Sequence, residues 1–379
     1  MPPQVRDETL LIVADSESDA NMRYATGIFV PDPFIWLRHR GRSYVVMSDL
    51  EIDRARREAK VDHILSLTHY RKRLERRGQK APKLRDILVA VLRDFQLRSV
   101  IVPGNFPFML ATALHKAAVR VRLPRHGIFP ERETKRPDEI AKIRAALRIA
   151  QTGLAAGIAM IRQSKIGPNR FLFLRGARLT SDMVRAEMDI ACKRVGGNAS
   201  NTIVAGGNQG CDPHERGHGP LRAHESIILD IFPRDERTGY FGDITRTVVR
   251  GKAGVALQEI YRTVAEAQSF AFRELKAGVD GFDVHKKITA LFESRGFKTG
   301  KQRGRMSGFF HGTGHGLGLE IHEAPRVSIV SEQLKAGHVV TVEPGLYYRG
   351  IGGVRIEDVV ALTDRGNRRL SSFVNQLEI

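Results

Sequence analysis

Cysteine is nearly missing from this chain: Cys192 and Cys211 are the only two in 379 residues. Two thiols make neither a disulfide framework nor a thiolate cage, so any bound metal must rely on oxygen and nitrogen ligands. A long apolar run is also missing, which excludes a helical membrane span, and no membrane partner is expected. Met1 to Glu8 lacks the charged segment and apolar stretch of a secretion signal, so a cytoplasmic location is expected. Acidic residues are in deficit: 61 Lys and Arg against 42 Asp and Glu leave a formal charge of +19. That balance raises nucleic acid or a membrane surface as a partner. Much of the excess sits between Arg54 and Arg98, densest at Arg71-Lys72-Arg73 and Arg76-Arg77, with few aromatic residues for base stacking. Nucleic acid is therefore not the expected partner. A solvated helical face and an electrostatic dock for an acidic partner both stay open for this run.

What is present divides in two. From Thr9 to about Val121, apolar runs such as Leu10-Leu11-Ile12-Val13, Tyr44-Val45-Val46-Met47 and Val100-Ile101-Val102 alternate with helical spacing around Ile87-Leu88-Val89. This predicts a small α/β domain over residues 1–130. Proline and charge crowd the segment from Arg125 to Asp138, where the boundary is expected. Ile140, Ile143, Ala146, Leu147, Ala150 and Leu154 then recur at helical steps and open a second domain, 131–379. Beyond Asn198, β-branched runs separated by glycine-rich turns, with one helical block from about Val255 to Phe292, predict helices against a mainly antiparallel sheet. The fold class is α+β.

The chemistry concentrates in three blocks of the second domain. If Arg234 to Gly239 is the turn of a hairpin, Asp230 directly faces Asp243, and two opposed carboxylates repel unless a cation sits between them. In His311-Gly312-Thr313-Gly314-His315-Gly316-Leu317-Gly318-Leu319-Glu320-Ile321-His322-Glu323, alternating glycines disfavour a helix and leave three histidines in a permissive, irregular segment. This is not the helical His-Glu-x-x-His motif of zinc proteases. Val339 to Val342 reads as a strand ending in Glu343. Gly353 to Val360 reads as another, with Arg355 and Glu357 on one face and Ile356 and Asp358 on the other. Four carboxylates and one imidazole suit Mn²⁺, Co²⁺, Fe²⁺ or Zn²⁺, and so much negative charge favours two ions about 3.5–4 Å apart.

These blocks resemble the pita-bread metallopeptidases, specifically the aminopeptidase P and prolidase branch. His311 to Glu323 fits that branch's His-Gly-x-Gly-His-x-x-Gly-x-x-x-His-Glu pattern throughout. Asp243-Ile244-Thr245-Arg246-Thr247, Glu343-Pro344-Gly345 and Arg355-Ile356-Glu357-Asp358 follow in the family's order, and Asn21 to Gly27 and Asp49 to Arg56 look like its creatinase-like N-terminal domain. The resemblance implies a pita-bread catalytic domain holding two divalent metal ions, Mn²⁺ foremost. It implies that Asp230 and Asp243 bind one metal, His315 and Glu343 the second, and that Asp243 and Glu357 bridge the two. It further implies that Glu343 takes a proton from a shared water, that His322 stabilises the tetrahedral intermediate, that His214 assists near the substrate, and that His311 and Arg355 line the pocket. The implied reaction removes the first residue of an Xaa-Pro peptide or splits an Xaa-Pro dipeptide, in a homodimer.

Three rivals are weighed against this. A methionine aminopeptidase lacks the N-terminal domain and the His311-to-His315 spacing. A different hydrolase or lyase reaction on the same scaffold remains open because fold does not fix function. A non-catalytic binding protein with a basic surface fits +19 but not a complete ligand set.

Overall fold

Every residue of Leu10–Val13 is buried, although neighbouring side chains point to opposite faces, so this strand lies in a sheet covered on both sides. In the computed structural model, which describes residues 8–302 and 304–379, the chain divides into Met1–Pro130 and Glu131–Ile379. The stretch read for a secretion signal lies, up to Asp7, outside the described residues. No helix among the described residues is long and apolar enough to cross a membrane.

The first unit runs β1 (Leu10–Ala14), α1 (Ala20–Thr26), β2 (Phe34–His39), β3 (Arg42–Met47), α2 (Ile52–Glu58), β4 (His63–Ser66), α3 (Leu67–Arg76), α4 (Leu84–Asp94), β5 (Ser99–Ile101), α5 (Phe108–Lys116) and β6 (Arg120–Arg122). Its strands form one mixed sheet in the order β4-β3-β2-β1-β5-β6. Alternation separates two cores. Leu11, Val13, Ile35 and Leu37 pack with α4 and α5, while Leu10, Ile12, Phe34 and Trp36 pack with Met22 and Phe129. The basic run from Arg54 to Arg98 folds largely as α2, α3 and α4. Part of its charge is internally paired, Arg56 with Asp53 at 2.8 Å and Arg73 with Asp94 at 2.8 Å.

The second unit opens with α6 (Pro137–Gln163), started by Pro137 and by Glu139, whose carboxylate accepts from the Arg136 N–H. It packs on α7 (Ser181–Arg194) across Gly153 and Gly157, where a Cβ would lie 2.5 Å from Cys192 Sγ and 2.7 Å from Met188 Cγ. Then come β7 (Ile203–Gly206), β8 (Ile227–Ile231), β9 (Ile244–Val248), α8 (Val255–Glu274), α9 (Gly281–Ser294), β10 (Gly314–Gly316), β11 (Glu323–Val327), β12 (Val339–Val342), β13 (Gly345–Tyr348), β14 (Gly352–Arg355), β15 (Asp358–Thr363) and β16 (Gly366–Arg369). The single helical block expected over Val255 to Phe292 is two helices. Asp280 ends the break between them, its side chain accepting from the Phe282 N–H to start α9. The sheets β7-β8-β9 and β11-β10-β12-β15-β16 are antiparallel throughout. Helices α8 and α9 cover one core against β12, β14 and β15.

Candidate metal centre

The hairpin β8–β9 delivers the first two carboxylates, but not in the expected register. Asp230 pairs with Thr245 and Ile231 with Ile244, so Asp243 sits diagonally from Asp230 rather than opposite it. The turn is displaced because Arg234–Asp235 forms a short strand with Gly197–Asn198, and the Asp235 N–H then bonds to the Tyr240 carbonyl at 2.9 Å. A two-residue displacement preserves the face, so both carboxylates still point the same way.

The glycine-rich segment is more regular than expected. Gly314–Gly316 is a strand between β11 and β12, and each glycine clears a neighbour. A Cβ at Gly314 would lie 2.0 Å from the Thr341 carbonyl oxygen, and one at Gly316 would lie 2.3 Å from that of Ala324. His315, between them, is fixed by its own N–H on Thr341 Oγ1 at 3.0 Å. The Glu343 N–H bonds to the Thr313 carbonyl at 2.8 Å, and Thr341 Oγ1 donates to Glu343 Oε1 at 3.2 Å. One threonine thus orients both a histidine and a glutamate.

The strand expected from Gly353 to Val360 breaks instead into β14 and β15, with Glu357 in the gap. Its N–H donates to the Thr245 carbonyl at 3.1 Å, so the chain leaves one sheet partner for another there. The expected facing survives the break. Arg355 Nη2 reaches Asp230 Oδ2 at 2.6 Å and Glu357 Oε2 accepts from Thr245 Oγ1 at 2.7 Å, while Ile356 enters the core and Asp358 pairs with buried Arg246 at 3.0 Å.

The result is a buried concentration of negative charge. Ligand atoms of Asp243, His315 and Glu357 all lie within 4.8 Å of one another. His315 Nε2 is 3.4 Å from Glu343 Oε1 and 3.7 Å from Asp243 Oδ2. Burial, then the carboxylates of Glu357 and Asp230, raise the Asp243 pKa well above its ordinary value; burial and Glu343 do the same to Glu357. Glu343 is pushed up to about 7, chiefly by burial. His315 moves the other way, down to about 4, also by burial, and is a neutral imidazole near pH 7. Its Nδ1 lies 3.1 Å from the Gly316 carbonyl, which can only accept, so the ring proton is on Nδ1 and Nε2 presents a bare lone pair to the two carboxylates. Acceptors brought this close are held together by a carboxyl proton or by a cation, and a cation satisfies all of them at once. Asp230 Oδ1, buried without a hydrogen-bond partner, supplies a further unused donor atom. Oxygen donors with one neutral imidazole fit divalent transition metals.

Around this centre lie the remaining sequence-picked residues. The His322 ring is 4.3 Å from that of His315. His311 donates from Nδ1 to the Gly312 carbonyl at 2.8 Å and accepts at Nε2 from Tyr347 Oη at 2.8 Å; burial and the Arg355 guanidinium push it down to about 3. His214 is exposed but close enough for its charge to bear on Glu343, His311 and His322, and the carbonyl of its neighbour Pro213 lies 3.5 Å from Arg355 Nη1. Sequence reasoning missed Thr245, Thr341 and Tyr347, whose roles arise from contacts across strands. It also missed Arg326, which pairs with His315 in the β10–β11 ladder, is exposed, makes no ion pair among the described residues, and bears electrostatically on His315 and His322.

Residues 141–364 match the profile of metallopeptidase family M24. An Xaa-Pro dipeptidase of Pyrococcus furiosus is 33% identical over 254 residues, which span 64% of this chain and 64% of that protein. The sequence match thus covers under two thirds of the curated relative's length. Among solved structures, an Xaa-Pro dipeptidase from Bacillus anthracis superposes with a TM-score of 0.81 at 24% identity, covering 98% of this chain and 95% of that one. An X-Pro aminopeptidase from Thermotoga maritima does so with a TM-score of 0.81 at 23% identity and 98% coverage of both. The fold, mixed helix and strand with a smaller N-terminal unit, is the one these structures share.

Proposed function

The chain belongs to metallopeptidase family M24, and from that membership and the bare Nε2 of His315 we propose that it hydrolyses the bond between a first residue and proline. Asp230, Asp243, His315, Glu343 and Glu357 hold two divalent ions in this reading, with Mn²⁺ as the native metal. When bound, such ions lower the pKa of water enough to supply a nucleophile near neutral pH.

The chain's own residues then divide the work. Glu343, whose carboxyl is raised toward neutrality, takes a proton at its Oε atoms and returns it to the leaving imino nitrogen. His322 donates to the developing oxyanion, and His214 holds the substrate or moves a proton at the rim. Arg355, ion-paired to Asp230 and bonded to Tyr347, keeps one carboxylate aimed inward. Proline's imino nitrogen has no hydrogen to donate, so recognition rests on an apolar, shaped pocket. Arg326 favours a short substrate, because an exposed cation opposite His315 in the ladder suits the free carboxylate of a dipeptide.

We read the working form as a cytoplasmic homodimer. The observation that carries the function is the imidazole lone pair turned on two carboxylates, an arrangement suited to a cation. The test strips the protein of metal, resupplies Mn²⁺ or Co²⁺, and follows release of the first residue from Xaa-Pro dipeptides and from longer Xaa-Pro peptides. Metal demonstrably bound at this site without turnover of either would transfer the reading to another reaction on the scaffold.

A further inference from the structure

The basic run noted in the sequence borders a groove that the metal centre does not use. Helices α4 and α5 wall a cavity of about 700 Å³ in the first unit. Its floor is apolar (Leu74, Val89, Ala90, Ala113) and its rim carries Arg85, Arg93 and Lys116. At one end Phe108 and Met109 stand out of the surface, 85% and 65% exposed. A second cleft of about 560 Å³, lined by Phe106, Pro107 and Leu110, shares Arg85 and Met109 with the first, so the apolar surface continues past this knob.

Basic groups outnumber acidic ones around the first cavity, where Asp86 is the one acid among Arg85, Arg93 and Lys116, and it lies 3.9 Å from Arg85. No acidic residue occurs between Phe95 and Pro130, so α5 contributes none. The acids nearest on α4 are engaged: Asp86 accepts from the Lys83 N–H at 2.8 Å, and Asp94 is paired with Arg73. Arg93 and Lys116 are exposed and make no ion pair among the described residues. An apolar trough with Arg93 and Lys116 uncompensated on its rim is complementary to a helix that is apolar on one stripe and acidic beside it. We propose that the α4–α5 groove docks an acidic amphipathic helix of a protein partner. The nine residues of α5 span about 13 Å, so the occupant makes contact over roughly two and a half turns. Nucleic acid fits less well, because phosphates gain nothing from the apolar floor and the groove offers one exposed aromatic ring for stacking. A second copy of the chain would bring a further +19 against this face.

Fluorescence anisotropy on the full-length protein decides between these. The probe is a labelled helical peptide of about 14 residues with leucines at i, i+3, i+4 and i+7 and glutamates beside them. Its controls are a scrambled peptide of equal composition, a Lys-for-Glu version and oligothymidylate. The expected result is binding of the acidic amphipathic peptide at least about tenfold tighter than any control, weakening as salt rises. The double variant Arg93→Glu/Lys116→Glu and the single variant Phe108→Ser each weaken it about fivefold or more, with circular dichroism and melting temperature unchanged. Equal affinity for the scrambled peptide, indifference to both variants, or tighter binding of oligothymidylate overturns the proposal. So does sedimentation showing that Phe108→Ser splits a dimer, since a second copy would then cover the groove.

Discussion

Lys135 Nζ lies 2.5 Å from Glu323 Oε1, with the two side chains 1% and 9% exposed. The other carboxylate oxygen accepts from Arg132 at 2.8 Å, and Arg132 also reaches Glu320. Glu323 directly follows His322, so buried Lys135 and half-buried Arg132, just ahead of α6, clamp the loop that carries the proposed oxyanion donor. Gly318 makes room for this, since a Cβ there would meet Glu323 Oε1 at 2.4 Å. Glu323→Gln leaves Lys135 buried without a counter-charge and is expected to lower stability by about 3–5 kcal/mol in denaturant melts. Lys135→Met combined with Glu323→Gln removes both charges and recovers most of that loss. The double variant still loses about tenfold or more in kcat while keeping its metal, because the loop is unclamped. Full kcat in the double variant would deny the clamp any part in placing His322.

Glycines of one motif differ in what they protect. Gly314→Ala would set a Cβ 2.0 Å from a backbone oxygen of β12, which has no rotamer to yield, and β10 must part from its neighbour. The expected cost is roughly 3 kcal/mol or more, with loss of metal binding because His315 moves. Gly312→Ala meets Ser328 Cβ at 3.2 Å and the Val327 carbonyl at 3.3 Å, and is expected to cost about 1 kcal/mol. Melting curves and metal content of the two variants test the contrast; equal losses would mean that crowding does not rank them.

The centre was legible because its residues announce themselves locally. Glycine at every second place around His315, a carboxylate at the end of a β-branched run, and Arg355 two residues before Glu357 are each readable over a few positions. The hairpin register was not, because Arg234–Asp235 answers to Gly197–Asn198, far away in sequence, and displaces the turn. The strand break at Glu357 has the same origin, a hydrogen bond to the Thr245 carbonyl of another sheet. Supports such as Thr341, Tyr347 and Lys135 become meaningful only once strands and loops distant in sequence are side by side. Sequence pattern reaches the residues proposed for the chemistry sooner than the residues that hold them in place.

Substrate length has its own reporter in Arg326. If its guanidinium receives the free carboxylate of a dipeptide, Arg326→Ala raises KM for Xaa-Pro dipeptides about tenfold or more and leaves kcat and metal content nearly unchanged. Longer Xaa-Pro peptides, with no carboxylate at that distance, show little change. Steady-state kinetics on both substrates settle it, and an equal effect on the two would assign Arg326 to general electrostatics.

Metal removal and pH are linked through the raised carboxyls. In the metal-free fold Glu343 holds its proton up to about pH 7, against an ordinary value of 4.5, and burial raises Asp243 and Glu357 as well. A group that binds its proton more tightly folded than unfolded adds stability that is complete below the unfolded pKa and disappears as pH climbs through the folded one. These carboxyls therefore destabilise the metal-free protein progressively from about pH 4.5 to pH 7, by roughly 3 kcal/mol for Glu343 alone. Bound cations favour the ionised forms and reverse the sign. The rise in Tm on adding saturating Mn²⁺ is accordingly expected to grow across this window, with protons released on binding, both readable by calorimetry at several pH values. A Tm gain that stays flat from pH 5 to pH 7.5 would mean that the carboxylates around His315 are not the groups the metal displaces protons from.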